Sequence, residues 1–244
     1  MKMIDPSDIA LYCNTNEALI KGPVRAIVAE LPGLGGGSCL GGSLDFGDYV
    51  NVYTEDLAKE GIIAAYMFPG PWSWMNRAAV NYCDAVLDAI YEKYGLTDKT
   101  PLAVCGGSMG GLGALIFSAD SRHKVTACAA ACPCCDAPEA FRTLPQFRRT
   151  LLSAVSDRGC APETALKLIS PVHRIDELPD IPYRIVCDGA DELFPAEGLR
   201  AFSNALKRKR RDVVFVELPG LGHGGFTSEE RDEFHKFIKN HCLI

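Results

Sequence analysis

Short, nearly continuous apolar runs alternate with longer stretches of helical periodicity along this chain, and that alternation restricts the fold more than any other feature. Val24–Glu30, Ile62–Phe68, Pro101–Cys105, Val125–Ala131, Tyr183–Asp188 and Val213–Leu218 read as strands. Runs without polar alternation suit strands covered on both faces. Between the second and third runs, Ala79, Cys83, Val86, Leu87, Ile90 and Tyr94 recur at the three-and-four spacing of an amphipathic helix. Met109–Ser118 and Glu229–Ile238 read as further helices. Such alternation implies right-handed crossovers and an α/β fold, with a mostly parallel central sheet and helices on both faces. The 244 residues suit one domain, 1–244. The residues ahead of the first confident strand leave room for one short hairpin, around Ile9–Cys13 and Ala18–Ile20. Pro133–Asp180 breaks the rhythm, with helical stretches near Ala137–Thr143, Gln146–Val155 and Pro162–Ile169. A small helical cap over the carboxyl edge of the sheet, at about 133–180, is the expectation.

The formal net charge of −6 argues against nucleic acid as a partner, because phosphate binding needs a basic face. The one basic run, Lys207–Arg211, reads as a solvated helix end, where cations also suit the helix dipole. No apolar tract is long enough to span a bilayer, and Met1–Pro6 carries no apolar run of signal-peptide type. Hence no membrane partner is expected, and the eleven cysteines are read as reduced thiols of a cytoplasmic protein. Cys132, Cys134 and Cys135 form the one cluster among them. Cys-x-Cys-Cys lacks paired Cys-x-x-Cys ligand spacing, so structural thiols are favoured, with a metal or redox module as the alternative.

Gly106-Gly107-Ser108-Met109-Gly110 fits a Gly-x-Ser-x-Gly pattern. The pattern gains meaning from its context, since it follows an apolar strand directly and opens a helix directly. A serine exposed on so sharp a turn needs small flanking residues. Its hydroxyl becomes a useful nucleophile only beside a base. Of the five histidines, His223 lies in a glycine-flanked loop after the last strand, where it can reach the carboxyl edge of a parallel sheet. A carboxylate must fix the imidazole's tautomer. Asp191, in the turn after Tyr183–Asp188, is the choice, with Asp188 and Glu192 as rivals. Oxyanion donors are expected from the backbone of Met109, at a helix N-terminus, and of Leu34, with Gly33 or Gly35 as alternatives. Gly33–Gly37 does not match a dinucleotide fingerprint, so no cofactor is expected, and no metal. Trp72 and Trp74, after the second strand, are candidates for the wall of a substrate pocket or for packing beneath the cap. Arg77 and Arg142 are the arginines that could meet a substrate carboxylate.

Together these residues resemble the α/β-hydrolase superfamily, in particular compact esterases and peptidases related to dienelactone hydrolases and to the catalytic domains of prolyl oligopeptidases. The resemblance rests on Gly106–Gly110, on Ser170-Pro171 to Pro195, and on Gly222-His223-Gly224. It departs at the oxyanion loop, where Pro32-Gly33 stands in place of the His-Gly of many members. It implies an α/β-hydrolase fold and a Ser108–Asp191–His223 triad acting through an acyl-enzyme. The substrate would be a small carboxylic ester, with a short or N-acylated peptide, a thioester or an acyl acceptor as alternatives. A binding protein that kept the fold is the reading from another class.

Overall fold

In the computed structural model, which describes residues 4–243, seven strands form one sheet in the order β1-β3-β2-β4-β5-β6-β7. The strands are β1 (Cys13–Thr15), β2 (Ala26–Leu31), β3 (Ile62–Met67), β4 (Leu102–Gly107), β5 (Ala127–Ala131), β6 (Tyr183–Asp188) and β7 (Val213–Leu218). The start of the Met1–Pro6 stretch lies outside the described residues. All pairings are parallel except that of β1 with β3. The central strands β2 to β6 are buried along nearly their whole length, which is why they read as unbroken apolar runs. The edge strand β7 is buried only at its two ends. Among the described residues no helix is long and apolar enough to cross a membrane.

Side chains alternate between two cores. Ile27, Ala29 and Leu31 of β2 join the larger one, beneath α2 (Arg77–Tyr94), α3 (Met109–Asp120) and α7 (Ala196–Arg208). Ala26 and Val28 join the other, covered by Leu57 of α1 (Val52–Lys59) and by Phe234 and Ile238 of α8 (Ser228–Asn240). A buried bidentate pair, Arg184 to Glu230 at 2.9 and 2.8 Å, ties α8 to β6. The basic run closes α7, where Arg211 donates to the Leu178 carbonyl at 2.9 Å and Lys209 pairs with Asp176.

The N-terminal hairpin does not form. Pro6–Leu11 and Glu17–Leu19 are 3-10 turns, and only Cys13–Thr15 is extended, paired with β3. The cause is buried Asn16, whose amide donates to the Thr54 and Ile62 carbonyls and accepts from the Ala64 N–H. The β3 edge, with unpaired backbone groups to satisfy, outcompetes local pairing. Between β5 and β6 the chain folds into three short helices, α4 (Ala137–Thr143), α5 (Arg148–Ala154) and α6 (Pro162–Lys167). They reach the carboxyl edge of the sheet where Thr150 accepts a hydrogen bond from the Trp74 indole at 3.0 Å.

The order places a switch point between β2 and β4, where successive connections leave in opposite directions along the sheet. Ligand crevices of open α/β sheets form at the carboxyl ends of strands at such a point. Here the turn after β2 and the turn after β4 meet.

Candidate active site

Ser108 occupies the tight corner between β4 and α3, at φ 56° and ψ −119°. This is a costly backbone for a side-chain-bearing residue, and such strain concentrates at functional turns. The flanking glycines are required by close backbone approach. A Cβ on Gly110 would lie 2.0 Å from the Leu31 carbonyl oxygen, and one on Gly106 would lie 2.4 Å from that of Gly110. Because β2 and α3 touch backbone to backbone, Ser108 is lifted above the sheet edge, half-buried, with its N–H held by the Ala131 carbonyl at 2.8 Å.

His223 comes to it from the loop after β7. Its Nε2 lies 2.9 Å from Ser108 Oγ, and its Nδ1 lies 2.8 Å from Asp191 Oδ2. The other Asp191 oxygen accepts the N–H groups of Leu193 and Phe194, each at 2.9 Å. Burial pushes the Asp191 carboxyl up, but the bonds from His223 and from the two amides outweigh it and hold the group below its ordinary value. The geometry brings Ser108, His223 and Asp191 into one hydrogen-bonded chain. The other histidines are engaged elsewhere, for example His235 with Asp56 and His123 with Asp88.

The rival carboxylates separate cleanly. Glu192 is exposed. Asp188 is fully buried and accepts the N–H groups of Ala190, Leu221 and Gly222 at 2.7–2.9 Å. It therefore staples the loop carrying Asp191 to the loop carrying His223. Burial raises its carboxyl, yet the amides of Leu221, Ala190, Gly222 and Gly220 together leave it lowered.

Asp188 and Asp191 thus both have folded values below the ordinary 3.8. Groups lowered on folding stabilise the native state above the unfolded value, and that contribution is lost as pH falls through the folded one. Urea midpoints should accordingly drop from about pH 5 to about pH 3. Asp188→Asn, with an amide facing amides, should cost about 1–3 kcal/mol at neutral pH and show a shallower acid decline. Equal slopes for the two proteins would assign the acid sensitivity to other groups.

The backbone amides expected as oxyanion donors differ in what they bind. Met109 is the first residue of α3, so its N–H has no partner within the helix. In the turn after β2, the Gly33 N–H is taken up by the Gly37 carbonyl at 2.7 Å, while Leu34 N–H has no partner among the described residues. A Cβ on Gly33 would meet the Gly107 carbonyl at 3.2 Å, so this turn lies directly against the Ser108 corner.

The two tryptophans part company. Trp72 is exposed, whereas Trp74 is buried beneath α5, so it offers no free wall. Trp74 instead begins a chain of rings: Phe147 at 5.6 Å, Phe194 a further 6.3 Å on, and His223 5.2 Å beyond that. Phe194 was not singled out from sequence, although it stands three residues past Asp191 in the acid turn. Its other side lines a groove of about 810 Å³, walled also by Pro133, Leu144, Leu199 and Phe202. Arg142 is paired with Glu139, and Arg77 is exposed on the first turn of α2. All cysteines are free, and only Cys160 is exposed. The sequence cluster splits: Cys132 faces Asp191 and Gly224, while Cys134 and Cys135 lie towards Asp136.

Comparison with known proteins bears on this arrangement. The model of the prolyl oligopeptidase family matches residues 75–242, which takes in Ser108, Asp191 and His223. Among curated protein sequences no significant match is found. Solved structures share the fold at low identity. A truncated carbohydrate esterase from gut microbiota is 14% identical with a TM-score of 0.68, covering 92% of this chain and 88% of that one. Est1E from Butyrivibrio proteoclasticus is 16% identical with a TM-score of 0.62, over 96% and 94%. A puromycin-hydrolyzing peptidase from Mycobacterium tuberculosis is 18% identical with a TM-score of 0.71, over 91% of this chain but 34% of its own.

Proposed function

Because this chain belongs to the prolyl oligopeptidase family and is thereby a serine hydrolase of the α/β-hydrolase fold, we propose that Ser108, His223 and Asp191 carry out acyl transfer on small carboxylic esters. The observation that carries the acyl-transfer reading is the unbroken chain Ser108 Oγ–His223–Asp191, with both links under 3 Å, and the esterases among the similar folds favour an ester as its substrate. His223 Nε2 takes the Ser108 proton as Oγ attacks the carbonyl carbon. The oxyanion rests on the amides of Met109 and Leu34. The leaving alcohol departs with the proton from His223, and water, deprotonated by the same nitrogen, then releases the acid and restores Ser108.

The helices α4–α6 act as the cap over this site, and the groove beside Phe194 is the acceptor for the apolar part of the substrate. A peptidase reading, on short or N-acylated peptides, is favoured by the family match itself. The two separate on substrate pairs. Hydrolysis of p-nitrophenyl acyl esters of graded length should exceed that of aminoacyl anilides with the same acyl group. A preference for the anilides would transfer the assignment to peptides.

Asp191→Asn tests the acid. An amide at this position would hold the imidazole in the wrong tautomer, and kcat should fall by on the order of 10⁴ at neutral pH. Glu192→Gln should stay within a few-fold of the parent. A reversed order would reassign the carboxylate.

A further inference from the structure

Cys132 takes no part in the scheme above, yet its Sγ, a carboxylate oxygen of Asp191 and a ring nitrogen of His223 all lie within 4.8 Å of one another. The thiol is buried, on a residue in the left-handed region at φ 44°, with its N–H held by the Val186 carbonyl at 2.7 Å. This turn off the end of β5 sets the sulfur beside the Asp191 carboxylate and the His223 ring. Burial, reinforced by the Asp191 charge, keeps the thiol protonated, pushed up to about 11. A serine hydrolase has no step that needs a thiol behind its carboxylate.

We propose that Cys132, Asp191 and His223 form a zinc-binding site whose occupation switches the enzyme off. Sulfur, carboxylate oxygen and imidazole nitrogen make a donor set suited to this ion. Zn–S bonds of about 2.3 Å and Zn–N and Zn–O bonds of about 2.0–2.1 Å place tetrahedral donors about 3.3–3.6 Å apart. The 2.8 Å contact between His223 Nδ1 and Asp191 would open slightly and the sulfur would close in. Binding expels one proton to water, from the thiol, while the ring's single proton passes by way of solvent from Nδ1 to Nε2. The thiolate and carboxylate then offset the ion's double charge, so no net charge is buried. The fourth position is left to water.

The effect on catalysis follows from the imidazole. With zinc on Nδ1, the neutral ring carries its one proton on Nε2, which becomes a donor and cannot accept the Ser108 proton. The folded protein is inhibited while its nucleophile stays in place. The inhibition rests on the reading of His223 as the base, whereas the metal site does not.

The test titrates the purified protein with Zn²⁺ alone and follows ester hydrolysis, and separately with Co²⁺ to follow absorption. Inhibition should saturate at one zinc per chain and reverse with EDTA. Cobalt should give a sulfur-to-metal charge-transfer band in the parent and in Ser108→Ala alike. Cys132→Ser should raise the half-inhibitory zinc concentration by on the order of 100-fold and remove the band, while Cys160→Ser, at the exposed thiol, changes neither. Unchanged inhibition in Cys132→Ser, or no charge-transfer band in the parent, would overturn the site. The cobalt spectrum of the parent needs no variant to fold. A cobalt band without zinc inhibition would keep the site and overturn the inhibition, and with it the role given to His223.

Discussion

Ser108→Ala should lower kcat on p-nitrophenyl esters by on the order of 10⁴-fold or more, abolish labelling by a fluorophosphonate, and leave the circular dichroism spectrum intact. The side chain lost is one hydroxyl, half-buried, whose hydrogen bond is to His223. The backbone that holds the corner is untouched: the Ser108 N–H remains on Ala131 and its carbonyl still accepts the Leu112 N–H at 3.1 Å. Folding and chemistry therefore separate at this position. Residual turnover near the parent level, with labelling retained, would remove Ser108 as the nucleophile and the acyl-enzyme with it. What remains in the variant should be the modest acceleration that oxyanion donors and binding supply without a nucleophile.

Gly110→Ala should have the opposite profile, failing at the level of the fold. Its added carbon would stand 2.0 Å from the Leu31 carbonyl oxygen and 2.8 Å from the Leu31 and Pro32 carbonyl carbons. All three contacts are backbone, on a central strand and the turn that follows it, so no side chain can rotate away. Separating α3 from β2 would disrupt both the larger core and the glycine turn after β2. A loss of at least about 3 kcal/mol is expected, measured as a lowered urea midpoint or as protein that does not accumulate folded. Gly107→Ala is the matched control. There the nearest atom would be the Ala131 carbonyl oxygen at 3.8 Å, an ordinary contact, at a φ that any residue adopts. If the two variants proved equally stable, the close approach of α3 to β2 would not be what demands glycine in this motif.

Several elements were legible because their causes are local. Tyr183–Asp188 and Val213–Leu218 have the ends the apolar pattern assigns, bracketed by Pro182, Gly189 and Pro219. The Ser108 corner is written in consecutive glycines, and His223 stands in a glycine-flanked loop after β7. Features that depend on distant partners were not legible. Helix α1 carries an exposed Val52 and little apolar periodicity, and its start is set by a capping box between Asn51 and Thr54. The structural part played by Asp188 turns on amides more than thirty residues downstream, at Leu221 and Gly222. Trp74 is buried in the larger core with its indole N–H on Thr150 of α5, a contact between residues 76 positions apart. Phe194 and Cys132 acquire their neighbours only when β5, β6 and β7 lie side by side.

The Asp188 staple also bears on how this protein could be rebuilt. One carboxylate grips amides of both its own turn and the turn after β7, so the loop carrying Asp191 and the loop carrying His223 behave as a single interchangeable part. The Ser108 corner belongs to a different part, locked to β2 and the glycine turn beyond it. A chimera that exchanges residues 188–195 with a relative should retain activity only when residues 218–225 come from the same parent. The Ser108 corner, by contrast, can come from either one.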